Sequence, residues 1–206
     1  MKRRVLLLTA VIALGGCATP EVAVNSHADF GRIHRVAVAT FDGPGGDVAA
    51  DLLTQDLLNH GADVVERQRL DTLLQEQNLA MQNILDPNTI KKVGQILGVD
   101  AIFVGTVASN IPSQSYVVTS TRHGNVSSVT PIGAGDAFTG AGIPSSQVVT
   151  SAAQDSLIAR MVDVETGSIL WSGRMSYEGY DNQTTMSEIT SSLAQSLVPL
   201  WPTLHK

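Results

Sequence analysis

The sequence predicts an α/β (α+β) domain in which helices pack on a mixed sheet. Residues 35–41 and 101–107 are almost continuous apolar runs, which are typical of buried strands. Residues 47–60 and 87–97 instead place apolar side chains at helical spacing. Because strands and helices are mixed along one chain, their apolar faces can be buried together only by layering helices on a sheet.

In the first half of the chain, strands and helices follow one another. A glycine-rich break at 43–46 separates the first strand from the helix over 47–60. Gly61 is expected to end that helix, because glycine tolerates the left-handed conformation past a helix end. Residues 63–66 then form a short second strand.

Two more helices are predicted before the next strand. Leu70, Leu73 and Leu74 mark the first of them. Asp86-Pro87 begins the other, since aspartate caps a helix and proline suits its first turn. Gly98 ends this helix just before the strand at 101–107.

The last part of the chain predicts a hairpin and a helix. Residues 157–164 and 169–177 are apolar strands joined by a turn at 165–168. The final helix stops near Pro199, and its apolar stripe consists of Met186, Ile189, Leu193 and Leu197.

Residues 108–155 differ from the rest and form an insertion. They contain fourteen Ser or Thr, five Gly and three formally charged residues, Arg122, Asp136 and Asp155. Alternating pieces at 115–121 and 147–151 suggest short strands. Ser-rich and Gly-rich sequence is also typical of flexible loops, so both a hairpin and a loop remain open.

The N-terminus predicts a secretory signal over residues 1–16. Lys2, Arg3 and Arg4 precede about ten apolar residues, too few to cross a bilayer, which needs ~20. Gly15 and Gly16 then precede Cys17, the only cysteine. This pattern resembles the bacterial lipoprotein processing site and implies cleavage before Cys17 and its acylation. The alternative is an ordinary secretory signal with an incidental cysteine.

The expected domain boundaries follow from that signal. Residues 17–34 would be the lipidated cysteine and a tether, and residues 35–206 the folded domain with its insertion at 108–155. Ala18, directly after the cysteine, favours sorting to the outer membrane, with the domain facing the periplasm. The implied partner of Cys17 is membrane lipid.

Composition argues against several functions. After loss of residues 1–16, the chain would keep 10 basic and 19 acidic side chains, a net charge of −9, which does not suit nucleic-acid binding. The five histidines do not pair at metal-ligand spacing, so no metal site is predicted. Residues 43–46 lack a following Lys-Ser/Thr, and there is no Gly-x-Ser-x-Gly, so neither a cofactor nor a catalytic residue is expected.

Several phrases, taken together and in order, resemble the CsgG family of curli-secretion lipoproteins and their relatives. They are Val36-Ala-Val-Ala-Thr-Phe41, Val64-Val-Glu-Arg-Gln-Arg-Leu-Asp-Thr-Leu-Leu74, Asp86-Pro87 with Val93-Gly-Gln-Ile-Leu-Gly98, Val99-Asp-Ala-Ile-Phe-Val-Gly-Thr-Val107, and Val162-Asp-Val-Glu-Thr-Gly-Ser-Ile-Leu-Trp-Ser172. The resemblance implies a non-enzymatic protein, a homo-oligomer, and an envelope or secreted protein partner.

The resemblance leaves two roles open. In the curli channel, each subunit contributes membrane-spanning hairpins, and here residues 115–130 and 143–158 are long enough, with Phe138 at the tip. That role is a ring oligomer in export of a secreted polymer. However, three prolines interrupt the insertion, and residues 178–185 are too few for a second hairpin. The alternative is therefore a periplasm-facing regulator or scaffold of an envelope enzyme.

Overall fold

The computed structural model describes residues 19–66, 70, 72, 87–120, 126–132 and 146–205. These residues form two sheets and three longer helices. The helices are α1 (Gly46–Asn59), α2 (Pro87–Leu97) and α3 (Asn182–Leu197), with a 3-10 helix at Phe30–Arg32. The strands are β1 (Glu21–Val24), β2 (Arg35–Val38), β3 (Asp63–Val65), β4 (Ala101–Ile111), β5 (Ser115–Ser120), β6 (Val126–Pro131), β7 (Ser146–Thr150), β8 (Ala153–Asp163) and β9 (Ile169–Gly179).

The main sheet has six strands in the order β1-β9-β8-β4-β2-β3. β2 runs parallel to both β3 and β4, whereas β4, β8, β9 and β1 pair antiparallel. Parallel neighbours need a long crossover connection, and α1 supplies the one between β2 and β3. The predicted mixed sheet with packed helices is confirmed.

Helices cover this sheet on two sides. We call the side packed by α1 and α3 the inner face, and the side packed by α2 the outer face. Val36 and Val38 of β2 belong to the inner core, and Ala37 belongs to the outer core. Since successive side chains of a strand point to opposite faces, a strand buried on both sides is apolar throughout, which explains the run at 35–41.

The helices closely follow the local sequence signals. α1 ends one residue before His60, and Gly61 adopts a φ of 90°. α2 begins at Pro87, and Gly98 follows it with a φ of 66°. All four residues of the predicted α3 stripe are buried. Leu70 is helical and buried as predicted, while Leu73, Leu74 and Asp86 lie outside the described residues.

The folded domain begins earlier than the predicted boundary at residue 35. β1 pairs along β9, placing Val22 opposite Gly173. Ile33 is fully buried, and its carbonyl oxygen accepts a hydrogen bond of 2.8 Å from Nε1 of Trp201. Residues 21–34 are thus part of the domain and not a tether, because they fill an edge of the sheet and a place in its core. Cys17 lies outside the described residues.

Candidate functional site: an uncharged insertion sheet

The insertion forms a second sheet, which lies between two long strands of the main sheet in chain order. β4 and β8 are eleven residues each and longer than predicted, reaching Ile111 and starting at Ala153. Between them, β5 pairs antiparallel with both β6 and β7. The sequences of these three strands contain no Asp, Glu, Lys or Arg.

Apolar side chains of this insertion sheet face solvent. Its register places Val118 opposite Val129 and Tyr116 opposite Val149, so these residues share one side. Val129 is 57% exposed, and Val148 and Val149 are 52% and 49% exposed. Val129 and Val149 lie on one side, and Val148, opposite Val117, lies on the other. Exposed apolar residues on an uncharged sheet are typical of a surface that contacts another molecule.

The insertion differs from the two spanning strands that the sequence suggested. Residues 115–130 are divided between β5 and β6, which pair antiparallel and place Ser120 opposite Val126. Residues 143–158 are likewise divided between β7 and β8. Within the described residues, these strands are five and six residues long, shorter than the ~9–11 residues that cross a bilayer. The predicted tip residue, Phe138, lies outside the described residues.

A polar junction holds the base of the insertion to the core. Asp155, at the start of β8, is fully buried, and its Oδ1 accepts hydrogen bonds of 2.9 Å from the side-chain amides of Asn110 and Asn182. Asn182 also donates to the carbonyl oxygen of Ile111 at 3.2 Å. The junction therefore joins the end of β4, the start of β8 and the first turn of α3.

Among the described residues, only one of the two carboxyl oxygens of Asp155 has hydrogen-bond partners. Within the described residues its Oδ2 has no hydrogen-bond partner. Burial raises the pKa of Asp155 above its usual value, and the two amide donors partly oppose this. Sequence reasoning did not assign this role, although Asp155 is one of the three charged residues of the insertion.

A second buried carboxylate, Asp163, stabilises the turn between β8 and β9. Its Oδ1 accepts hydrogen bonds from the backbone amide and hydroxyl of Thr166, at 2.7 and 2.9 Å. Arg32 donates to its Oδ2 and also to Glu165. This arrangement agrees with the hairpin turn predicted at 165–168, and it ties that turn to the 3-10 helix.

The glycine-rich loop before α1 packs against backbone and does not form an open cradle. A Cβ on Gly46 would lie 2.0 Å from the carbonyl oxygen of Phe41. A Cβ on Gly43 would lie 2.4 Å from the carbonyl oxygen of Val107, at a φ of 92°. These glycines permit close packing, which explains their presence without a bound phosphate.

The described residues show neither a metal cluster nor a spanning helix. No group of three or more His, Cys, Asp or Glu among them lies close enough together to hold a metal ion. In the same part of the chain, no helix combines the length and apolar character required to cross a membrane.

A comparison with protein families shows to which family this chain is related. The family described as "Curli production assembly/transport component CsgG" matches residues 22–193. The chain belongs to the CsgG family. The match begins within β1, in agreement with a domain that includes this strand, and the resemblance seen in the sequence is confirmed.

Solved structures similar to this CsgG family protein are distant in sequence. The PelC dodecamer from Paraburkholderia phytofirmans is 14% identical with a TM-score of 0.49, over 90% of this chain and 98% of that chain. Lipoprotein GNA1162 from Neisseria meningitidis is 17% identical with a TM-score of 0.42, over 70% and 80%. The LpoB C-terminal domain from Salmonella enterica is 17% identical with a TM-score of 0.40, over 70% and 83%. A search of curated protein sequences finds no match.

Proposed function

We propose that this CsgG family protein is a non-enzymatic, outer-membrane-anchored lipoprotein that acts as a ring oligomer in the assembly or transport of a secreted polymer. The observation that carries the proposal is the uncharged insertion sheet, with valines exposed by about half. A small sheet of this kind is stabilised when another layer covers its exposed valines, which are Val129 and Val149 on one side and Val148 on the other. Neighbouring copies in a ring would each supply that layer, and family membership supports a role in transport.

A periplasm-facing regulator or scaffold of an envelope enzyme is the second candidate. It is favoured by the five- and six-residue strands of the insertion, which are short for a membrane. It is also favoured by the connection from β9 to α3, where only Tyr180 and Asp181 separate the two elements. Such a protein would keep the lipid anchor and bind its partner without crossing the membrane.

Anchoring is assigned to Cys17 in both candidates. Several acyl chains on one cysteine would give stable attachment, whereas a single chain holds a protein only marginally. The variant Cys17→Ala is therefore expected to leave the membrane fraction, or to keep an uncleaved signal. A variant that is still processed and remains bound to membranes at wild-type levels would contradict the anchor.

The location of the insertion separates the two candidates. In the variant Phe138→Cys, acylation of Cys17 would leave the new thiol as the single reactive one. A membrane-impermeant maleimide would label this thiol on intact cells if the insertion reaches the cell exterior, which supports the export role. Labelling only after permeabilisation would favour the regulator. Gln55→Cys, on the exposed side of α1, is a matched control that should react only after permeabilisation.

The oligomeric state tests the ring directly. The full chain, extracted in mild detergent, is expected to form one large species of defined mass by mass photometry. A monomer that persists at high protein concentration would overturn the ring and leave the regulator as the better proposal.

A further inference from the structure

The start of β1 points toward the end of the main sheet at which the insertion is attached. β1 is antiparallel to β9, with Glu21 opposite Arg174. β9 ends at Gly179, whose partner is Ala153, the first residue of β8. The insertion leaves the main sheet after Ile111, the last residue of β4, and returns at the start of β8. The chain that precedes β1 is therefore directed to this same end, which we call the insertion end.

The chain between Cys17 and β1 is short. Cys17 is four residues before Glu21, and an extended chain spans at most ~14 Å over that length. Beyond Arg174, β9 continues for five residues to Gly179, which is about 17 Å of strand. A lipid on Cys17 would thus keep the membrane within reach of two surfaces of the domain, the insertion end and the free edge of β1.

The free edge of β1 is poorly suited to contact lipid. A sheet edge carries a row of backbone N–H and C=O groups that need water or another strand as partners. At this edge, the side chains of Glu21 and Arg174 also form an ion pair of 2.6 Å, and both are largely exposed. Lipid would remove water from these polar groups without supplying partners for them, which costs free energy.

The insertion end presents uncharged and mostly apolar side chains instead. We call four exposed residues there the end patch: Ile111 and Pro112 at the end of β4, Ala152 before β8, and Tyr180 after β9. Tyr180 is 84% exposed and Ile111 is 52% exposed. β4 and β9 flank β8, so they are about 10 Å apart. A tyrosine that combines an apolar ring with a polar hydroxyl group is typical of the boundary between lipid and water.

The polar junction holds the two main residues of the end patch in place. Asn182, two residues after Tyr180, donates a hydrogen bond of 3.2 Å to the carbonyl oxygen of Ile111. It also donates to the buried carboxylate of Asp155, at 2.9 Å. The end patch is therefore fixed to the core through β4, β8 and α3, and a surface held in this way can orient the whole domain.

Acidic side chains near the insertion end limit the depth of any contact with lipid. They are Asp42 and Asp47 around the start of α1, Glu178 at the end of β9, and Asp181 at the start of α3. These carboxylates are not attracted to anionic lipids, and they are too costly to bury in hydrocarbon. A contact at this end must therefore be shallow and depend on apolar side chains, so it should not weaken as ionic strength rises.

We propose that the end patch rests on the membrane to which Cys17 is anchored, with Tyr180 and Ile111 in the headgroup layer. The inference rests on the anchor in the proposed function and names the surface of the domain that faces lipid. Its support is the short chain between Cys17 and β1, together with the uncharged side chains at the end to which that chain points. The insertion, attached at the same end, would also be held at the membrane.

A fluorescent probe at residue 180 tests this contact in the full acylated chain, reconstituted in phosphatidylcholine vesicles. In Tyr180→Cys, acylation of Cys17 leaves the new thiol as the single reactive one for labelling. Lipids with a spin label near the headgroup should quench this probe severalfold more than a probe in Asn59→Cys, at low and at high salt. Asn59 is exposed at the end of α1, just before β3 begins beside the start of β2, and so lies at the opposite end of the sheet.

A charge in the end patch provides a second test. Ile111→Asp in the labelled Tyr180→Cys chain should lower the quenching toward the level seen at residue 59, because a carboxylate resists transfer from water to lipid. Leu58→Asp is the matched control, since Leu58 is also 52% exposed but lies at the opposite end of the sheet, and it should leave the quenching unchanged. Thermal unfolding shows that each variant is folded.

The outcomes separate the contact from the anchor. If the chain stays on the vesicles but residue 180 is quenched no more than residue 59, the contact of the end patch is refuted and the anchor stands. A probe at residue 180 that is shielded from iodide in the water, yet is not reached by the lipid quenchers, would mean that another copy covers the end patch, which also refutes the contact. A chain that leaves the vesicles would overturn the anchor and this inference together.

Discussion

Gly94→Ala is expected to destabilise the domain, because α2 meets the sheet at this glycine. A Cβ at residue 94 would lie 2.1 and 2.5 Å from the two methyl carbons of Val164 and 2.8 Å from its Cβ. Val164 is only 5% exposed, so its side chain has no solvent to move into. Either α2 or the chain just after β8 must shift instead.

The expected cost follows from two opposing terms. Overpacking of a core costs about 1–3 kcal/mol, and three close contacts place this site near the upper end. Alanine regains about 1 kcal/mol of helix propensity relative to glycine. The free energy of unfolding should therefore fall by about 2 kcal/mol.

Urea denaturation followed by tryptophan fluorescence measures this change, since Trp171 and Trp201 are both buried. Gln95→Ala, at the next and exposed position of α2, is the control and should change stability by no more than about 0.5 kcal/mol. Val164→Ala should be much less harmful in the Gly94→Ala background than alone, because it removes the two colliding methyl groups. A Gly94→Ala variant as stable as the wild type would refute the close contact.

Two further predictions concern buried polar groups. Burial raises the pKa of Asp155 above 3.8, so its contribution to stability is full below that pH and is lost as pH rises through the folded pKa. Asp155→Asn keeps an oxygen that accepts hydrogen bonds from the amides of Asn110 and Asn182, but it removes the titrating carboxyl group. Its urea midpoints between pH 4 and 8 should therefore fall less steeply with pH than those of the wild type. An unchanged slope would assign the pH dependence to other groups. Trp201→Phe removes the donor to the carbonyl oxygen of Ile33 and should cost about 1–3 kcal/mol in the same assay, whereas a cost near zero would mean that this hydrogen bond adds nothing.

Elements whose signals are local could be predicted from the sequence. The helices over 46–59, 87–97 and 182–197 follow from apolar spacing within a few turns and from glycines that end them. The hairpin of β8 and β9 follows from two apolar runs around a short turn. Family membership likewise follows from phrases that lie within single elements. Acylation of Cys17 and the tip position of Phe138 stay predictions.

Features that depend on residues far apart in the chain could be recognised only from the folded structure. Residues 21–24 became a strand because β9, some 150 residues later, offers an edge for pairing. The insertion became a separate sheet because β5 pairs with two neighbours, and no local pattern specifies which strands will meet. The buried position of Asp155 emerges only after folding, because burial is set by packing between distant elements.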